Sequence, residues 1–420
     1  MPSSFAHSLP RTPATACLAC EASLSRTFVD LGMSPLANSY VSPEKIATPD
    51  PLYPLHARVC DSCLLVQVDS VVPPEEIFSE YAYFSSYSET WLAHCKAYAH
   101  AMMRRFGLGP QNKVIEVASN DGYLLRNFAA AGIPVLGVDP AANVANVARA
   151  RGIPTEVAFF GTKTAERLRA RGETADLLVA KNVLAHVPDI NDFVQGIATL
   201  LKLHAVFTVE FPHLLNLIKE VQFDTIYHEH FTYLSLLAVE RVFARNGLRI
   251  FDVEEVSTHG GSLRIFACLN GANHVEMGTV AKIRDKEVAA RLDQPEGYKG
   301  FDARVRQVRS DLLEFLDQAK ATGKTVAGYG AAAKGNTLLN YCRIRSDRVA
   351  FVCDKSPAKQ KMFLPGSRIE IKPPQAIFDM RPDYVLILPW NLREEIEEQL
   401  AGIRDWGGRF VTAIPEIRVG

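Results

Sequence analysis

The 420-residue sequence predicts an α/β protein in which two Rossmann-like units follow a small cysteine-bearing module. Three observations carry that reading. Two CxxC pairs, Cys17/Cys20 and Cys60/Cys63, are confined to the first 63 residues. A strand–turn–helix–strand pattern with acids at the strand ends opens at "KVIEVASNDGYLL", and a second, with a glycine-containing turn, opens at "KTVAGYGAAAKG". At roughly 150 residues per domain, the length suggests two or three domains.

The opening "MPSSFAHSLPRTPATA" has no apolar centre to make a signal peptide and is expected to be a loose tail. In "CLAC" and "CDSC" each CxxC turn aims two thiolates at one ion, and four soft ligands suit tetrahedral zinc. With every position taken by cysteine there is no place for a reactive water, so the expected metal is structural, stapling a segment otherwise too small to fold well. Neither CxxC opens a helix after a buried strand, which argues against a redox pair. Cys95, Cys268, Cys342 and Cys353 are isolated and read as small apolar residues.

In the first βαβ unit Glu116 closes one strand, the polar turn Ser119–Gly122 brings backbone to the surface, and Asp139 ends the next strand some twenty residues on. An acid there takes ribose hydroxyls. Asn120 and Asp121 stand where a dinucleotide site needs spaced glycines, so a nucleoside without phosphates fits better. Further strands end near Lys181 and Glu210, continuing a doubly wound sheet whose ligands lie at the strands' carboxyl ends. In the second unit Gly328, Gly330 and Gly335 surround a strand-to-helix turn carrying Lys334, a better phosphate cradle than the first. A Rossmann-like unit that merely packs on its neighbour is the alternative.

Charge and hydropathy exclude several classes. With 46 basic and 47 acidic residues, net −1, and no basic cluster, the chain lacks a nucleic-acid or anionic-membrane footprint. No apolar run reaches the roughly 18 residues of a membrane span. Eight cysteines without an export signal point to the cytoplasm.

The segment "FDTIYHEHFTYLS" follows the strand of Glu210 and so lies over the carboxyl edge of the first sheet. His228 and His230, two apart, are poorly spaced for a shared metal. A polar loop and an acid/base site both remain open. Tyr227, Glu229, Tyr233 and His186 nearby favour the second, since an imidazole with a pKa near 6.5 suits proton removal at neutral pH.

The set "CLAC", "CDSC", "EYAYFSSYS", "VIEVASNDGYLL", "GVDPAANVA", "NVLAHVPD", "FDTIYHEHFTYLS", "HGGSLRIF" and "GYGAAAKGNTLLNY" resembles the S-adenosylmethionine-dependent C-methyltransferases that act on nucleotide-linked 4-keto deoxysugars. The resemblance runs from about Cys17 to the C-terminus. It implies a zinc-binding domain over 14–72, a class I methyltransferase domain over 73–275, and a C-terminal Rossmann-like domain over 276–420 that helps to hold the nucleotide-sugar. It also implies that His230 is the base, oriented with the sugar by Tyr227 and Glu229. Glu116, Asn120, Gly122, Asp139, Phe160 (or Phe159), Lys181 and Asn182 would border S-adenosylmethionine. Tyr81, His186, Gly328, Gly330, Lys334 and Asn336 would meet the substrate. Rival readings are an O- or N-methyltransferase, a nicotinamide oxidoreductase using the second glycine turn, and a non-catalytic zinc-knuckle scaffold. The nucleotide, the methylated carbon (3 or 5) and the oligomeric state are not legible, although a monomer is compatible with three packed domains.

Overall fold

The computed structural model describes residues 16–69, 72–73 and 89–420. Its N-terminal module is built on three antiparallel strands, β1 (Arg26–Ser34), β2 (Tyr53–Val59) and β3 (Val66–Val68). Leu55, Ala57 and Val59 alternate inward along β2, the period of a half-buried strand. Cys17 and Cys20 occupy the turn before β1; Cys60 and Cys63 occupy the turn between β2 and β3. The four Sγ atoms lie within 4.8 Å of one another, with Cys17–Cys63 at 3.4 Å and Cys20–Cys60 at 3.5 Å. In a zinc–thiolate tetrahedron with Zn–S of about 2.3 Å the sulfur–sulfur edges are about 3.8 Å, so the cluster fits one such ion.

The central sheet contains β4 (Val114–Val117), β5 (Val135–Asp139), β6 (Thr155–Val157), β7 (Ala175–Lys181) and β8 (Leu201–Pro212). After β9 (Thr232–Tyr233), which belongs elsewhere, β10 (Leu248–Val256) and β11 (Ser262–Leu269) complete it. The order is β10-β11-β8-β7-β4-β5-β6, parallel except for β11. This is the expected class I methyltransferase sheet, and the order reverses direction between β4 and β7, where such sheets bind ligands. Both faces are covered, so the strands read as apolar runs: all four residues of β4 are buried, Glu116 included.

The C-terminal sheet has the order β14-β13-β12-β15-β16-β17. Its strands are β12 (Val326–Tyr329), β13 (Val352–Cys353), β14 (Ile371–Lys372), β15 (Tyr384–Ile387), β16 (Arg409–Thr412) and β17 (Arg418–Val419), with only the last pair antiparallel. Its own switch point lies between β12 and β15. Lys334 and Trp390 follow these two strands.

The three parts share cores. Phe28 of β1 stacks on Phe301, the first residue of the helix Phe301–Ala321, with centroids 4.4 Å apart. The Tyr298 hydroxyl donates to the carbonyl of Leu64 in the cysteine turn over 3.2 Å. Most consequentially, β9 leaves the central domain and pairs antiparallel with β3, extending the N-terminal sheet. Among the described residues no helix is long and apolar enough to cross a membrane.

Because the metal turn sets the β2–β3 hairpin, its loss should loosen the whole N-terminal sheet. Freshly purified protein made with zinc present should carry one equivalent per chain, and Cys60→Ser should lose the metal and become aggregated or unstable. Less than half an equivalent in the unaltered protein by metal analysis would contradict the assignment.

Candidate active site

Tyr227–Tyr233 is held from two sides. The Phe231 N–H donates to the Ala185 carbonyl over 2.7 Å, and its carbonyl accepts from the Val68 N–H over 3.0 Å. Between these anchors and Thr225 sits His230. Its Nδ1 lies 2.9 Å from the Thr225 carbonyl, which can only accept, so the ring proton is on Nδ1 and Nε2 carries the lone pair. The His186 Nδ1–H donates in the same way to the Glu229 carbonyl over 2.8 Å. The His186 and His230 rings meet edge to face at 4.6 Å, and the Tyr227 ring lies 4.0 Å from that of His230. Burial first, and then His186, hold the His230 pKa well below its ordinary value; burial lowers that of His186 to about 4. Both imidazoles are therefore neutral at pH 7.

Glu229 does not point at His230. Its carboxylate accepts from the Asn38 amide over 2.8 Å and 2.9 Å, and burial raises its pKa to about 7 against that hydrogen bond. What it offers the site is its backbone carbonyl. His228 turns away to the Pro54 carbonyl, 3.2 Å from Nε2.

The rim of the first sheet carries the expected cofactor residues. Asp139, 5% exposed, accepts from the backbone N–H of Asn120 and Ala141, both over 2.9 Å, one at each oxygen. Asn120 is left-handed, with φ 49°, and the Gly122 N–H closes the turn on the Ser119 carbonyl over 3.0 Å. Glu116 is fully buried, with the Tyr123 hydroxyl as its one side-chain partner among the described residues, and burial raises its pKa well above the usual range, so a polar ligand group would find further acceptor capacity there. A buried acid at each of two neighbouring strand ends fits a ligand with ribose hydroxyls and an amino acid part. Phe159 is 44% exposed, whereas Phe160 packs edge to face on Phe193 at 5.3 Å.

Several expected residues have other partners. Lys181 is paired with Glu210, its registered neighbour on β8, and its ammonium lies 3.9 Å from the Tyr98 ring centroid. His94 and Arg264 also bond Glu210, at 3.0 Å and 2.6 Å. Burial works against the Glu210 charge, yet Lys181, His94 and Arg264 outweigh it and hold the pKa well below the carboxylate range. The phosphate-cradle expectation is corrected in part. The N–H groups of Gly328 and Gly330 are spent inside the sheet on the carbonyls of Phe351 and Cys353, over 2.8 Å and 2.7 Å. Asn336 is buried, and its amide donates to the Ala37 carbonyl of the N-terminal module over 2.6 Å. Lys334 keeps its side chain for other groups: its Nζ bonds the Asn391 amide oxygen over 2.8 Å, lies 4.4 Å from the Trp390 centroid and feels Asp224. Tyr81 lies outside the described residues.

Residues not anticipated lie beside these groups. Trp390 donates its indole N–H to Asp224 over 2.8 Å, and burial lifts the Asp224 pKa to about 6. His259, at the β10–β11 turn, bonds Asn182 over 3.0 Å. The only signal for either was the presence of "HGGS" and "PWN" at strand ends.

Comparison with known proteins accords with this arrangement. Three family profiles match in series: a zinc binding domain over 17–78, a methyltransferase domain over 91–253, and a C-methyltransferase C-terminal domain over 257–415. The chain is 37% identical over 391 residues to the C-methyltransferase NovU of Streptomyces niveus, covering 93% of each. A ubiquinone biosynthesis O-methyltransferase of Bartonella tribocorum is 32% identical over 91 residues, 21% of this chain and 37% of that one. A solved S-adenosylmethionine-dependent methyltransferase of Clostridium acetobutylicum, 14% identical, covers 42% of this chain and 91% of its own with a TM-score of 0.35, too partial a likeness to carry an argument. End-to-end identity with the Streptomyces enzyme, together with the cysteine cluster and the class I sheet, shows that the chain belongs to the S-adenosylmethionine-dependent, zinc-binding C-methyltransferases.

Proposed function

We propose that the enzyme methylates the carbon beside the ketone of a nucleotide-linked 4-keto-6-deoxysugar, with His230 as the base. The observation that carries this reading is the His230 tautomer: Nδ1–H is committed to the Thr225 carbonyl and burial keeps the ring neutral, so Nε2 is a ready proton acceptor. Methylation of oxygen or nitrogen has less need of such a base. A carbon must first lose its proton, and a neutral imidazole at the cleft meets that need. S-adenosylmethionine supplies the electrophilic methyl group on its sulfonium. Asp139 would bond its ribose, Glu116, Asn120 and Gly122 would border its methionine part, and Phe159, the more exposed of the two phenylalanines, would cover adenine. Lys181 and Asn182 act behind that rim through Glu210 and His259.

On the substrate side, Tyr227 and His186 would flank the sugar, while Lys334 would meet a phosphate; Tyr81 is proposed as a further sugar contact. Glu229 orients His186 through its carbonyl and ties the loop to Asn38. The division 14–72, 73–275 and 276–420 is retained as our proposal for the domains, with the nucleotide-sugar between the last two.

His230→Ala should leave both ligands bound and lower turnover by about two to four orders of magnitude, the usual contribution of a positioned base. Near-normal methylation by that variant, read by mass spectrometry of the product, would remove His230 from the role. Asp139→Ala should weaken S-adenosylmethionine binding by about tenfold or more, since charge-assisted hydrogen bonds are worth roughly 1.5–3 kcal/mol; unchanged affinity by calorimetry would take Asp139 out of the site. The pH profile follows from the direction of the His230 shift. Only the neutral ring accepts a proton, and its pKa is lowered, so kcat/KM should hold as pH falls to 6.5 and decline only below it. A half-maximal point above 6.5 would contradict the buried, neutral base.

A further inference from the structure

The stretch "HGGS" forms the tight turn between β10 and β11. His259, Gly260 and Gly261 follow one another with φ of 55°, 85° and 105°, three consecutive residues in a region that side chains rarely adopt. The turn cannot relax easily. A Cβ on Gly260 would come 2.4 Å from the Trp390 ring, and one on Gly261 would come 2.3 Å from the Asn216 amide. Gln222 donates to the Gly260 carbonyl over 2.9 Å, and the His213 N–H donates to the Gly261 carbonyl over 3.0 Å. Strain held in place by its surroundings belongs to functional sites more often than to scaffolds.

The strain delivers one imidazole. The His259 side chain is solvent-accessible, with the Trp91 ring 5.8 Å away. Asn182, itself left-handed with φ 52°, lies at the end of β7 and points its amide nitrogen at His259 Nε2 over 3.0 Å. An amide N–H can only donate, so Nε2 accepts and the ring proton stands on Nδ1. This is the reverse of His230 in function: one ring presents a lone pair, the other an N–H. Desolvation, the Lys334 ammonium and His94 lower the His259 pKa from its ordinary value, so the donor is neutral at pH 7. The loop after β7 links the two imidazoles: Asn182 at its start bonds His259, and His186, four residues on, meets the His230 ring at 4.6 Å.

We propose that His259 donates its Nδ1–H to the ketone oxygen of the substrate as that oxygen gains charge; this rests on the ketosugar reading above. When His230 Nε2 takes the proton from the neighbouring carbon, the C–H electron pair becomes the C=C bond and the carbonyl π pair moves onto oxygen. The enolate carbon then bonds the methyl carbon, the C–S pair stays on sulfur, and the oxygen returns its pair to re-form the ketone. His259 keeps its proton throughout, and Asn182 fixes the tautomer that makes it a donor. A neutral donor suits an enolate because it stabilises charge without competing to protonate the carbon.

Two variants of similar size separate this role from packing. Asn places its amide nitrogen where Nδ1 stands and tolerates the left-handed backbone, whereas Gln places it where Nε2 stands. With a ketosugar nucleotide that the unaltered enzyme methylates, H259Q should lower kcat by about 100-fold or more, the loss of one oxyanion donor, with KM changed less than about threefold. H259N should retain kcat within about tenfold of the unaltered enzyme. If the two variants differ by less than about threefold in kcat, or if H259Q acts chiefly on KM, the donor role is overturned while the ketosugar reading stands. If the unaltered enzyme methylates no ketosugar nucleotide, the reading fails and this inference with it.

Discussion

Two residue pairs, Val66↔Tyr233 and Gln67↔Thr232, join β9 to β3, and the site depends on that short ladder. It begins two positions after His230. On its N-terminal side, Phe231 is tied by its N–H to the loop after β7 and by its carbonyl to β3. The histidine is thus carried on backbone pinned between the central sheet and the N-terminal module, and the β2–β3 hairpin doing the pinning is closed by the cysteine cluster. A structural zinc consequently reaches the chemistry through one hairpin, without touching a substrate. Phe28 stacked on Phe301 ties the same module to the C-terminal domain, a contact worth about 0.5–1.5 kcal/mol beyond its buried area.

Charge is arranged so that the histidines of the candidate site stay neutral. Glu210 gathers Lys181, Arg264 and His94 in one buried network, which keeps strong charges matched behind the cofactor rim. In front of it the imidazoles of His186, His230 and His259 are all held uncharged, and each has its tautomer fixed by a partner that can only accept or only donate. Lys334 of the C-terminal domain lies over Trp390, whose indole leaves no room for a Cβ on Gly260. That domain therefore contributes a charge and shapes the turn carrying His259.

Much of this was legible from pattern. Acids closing apolar strands marked β4 and β5, glycines marked the turn after β12, and paired CxxC spacing marked the metal cluster, because each of these signals is local. The histidine loop could be placed over the sheet edge from chain order alone. What was not legible depends on contacts distant in sequence. A two-residue strand such as β9 has no periodicity, and its partner β3 lies in a different domain. Lys181 and Glu210 each read as strand-end polar residues, and only the parallel register of β7 and β8 makes them a pair. Gly328 and Gly330 looked like a phosphate cradle because the motif does not reveal that the adjoining strand consumes their N–H groups. His259 could be seen, but its purpose is set by φ and by Asn182, neither of which is written in residue type.

The central claim is that His230 removes a carbon-bound proton. The most direct measurement is solvent deuterium incorporation next to the ketone, with a ketosugar nucleotide and the demethylated cofactor present so that no methyl transfer can follow. The account predicts incorporation by the unaltered enzyme and none above background by His230→Ala. Incorporation at an undiminished rate in the variant would contradict it.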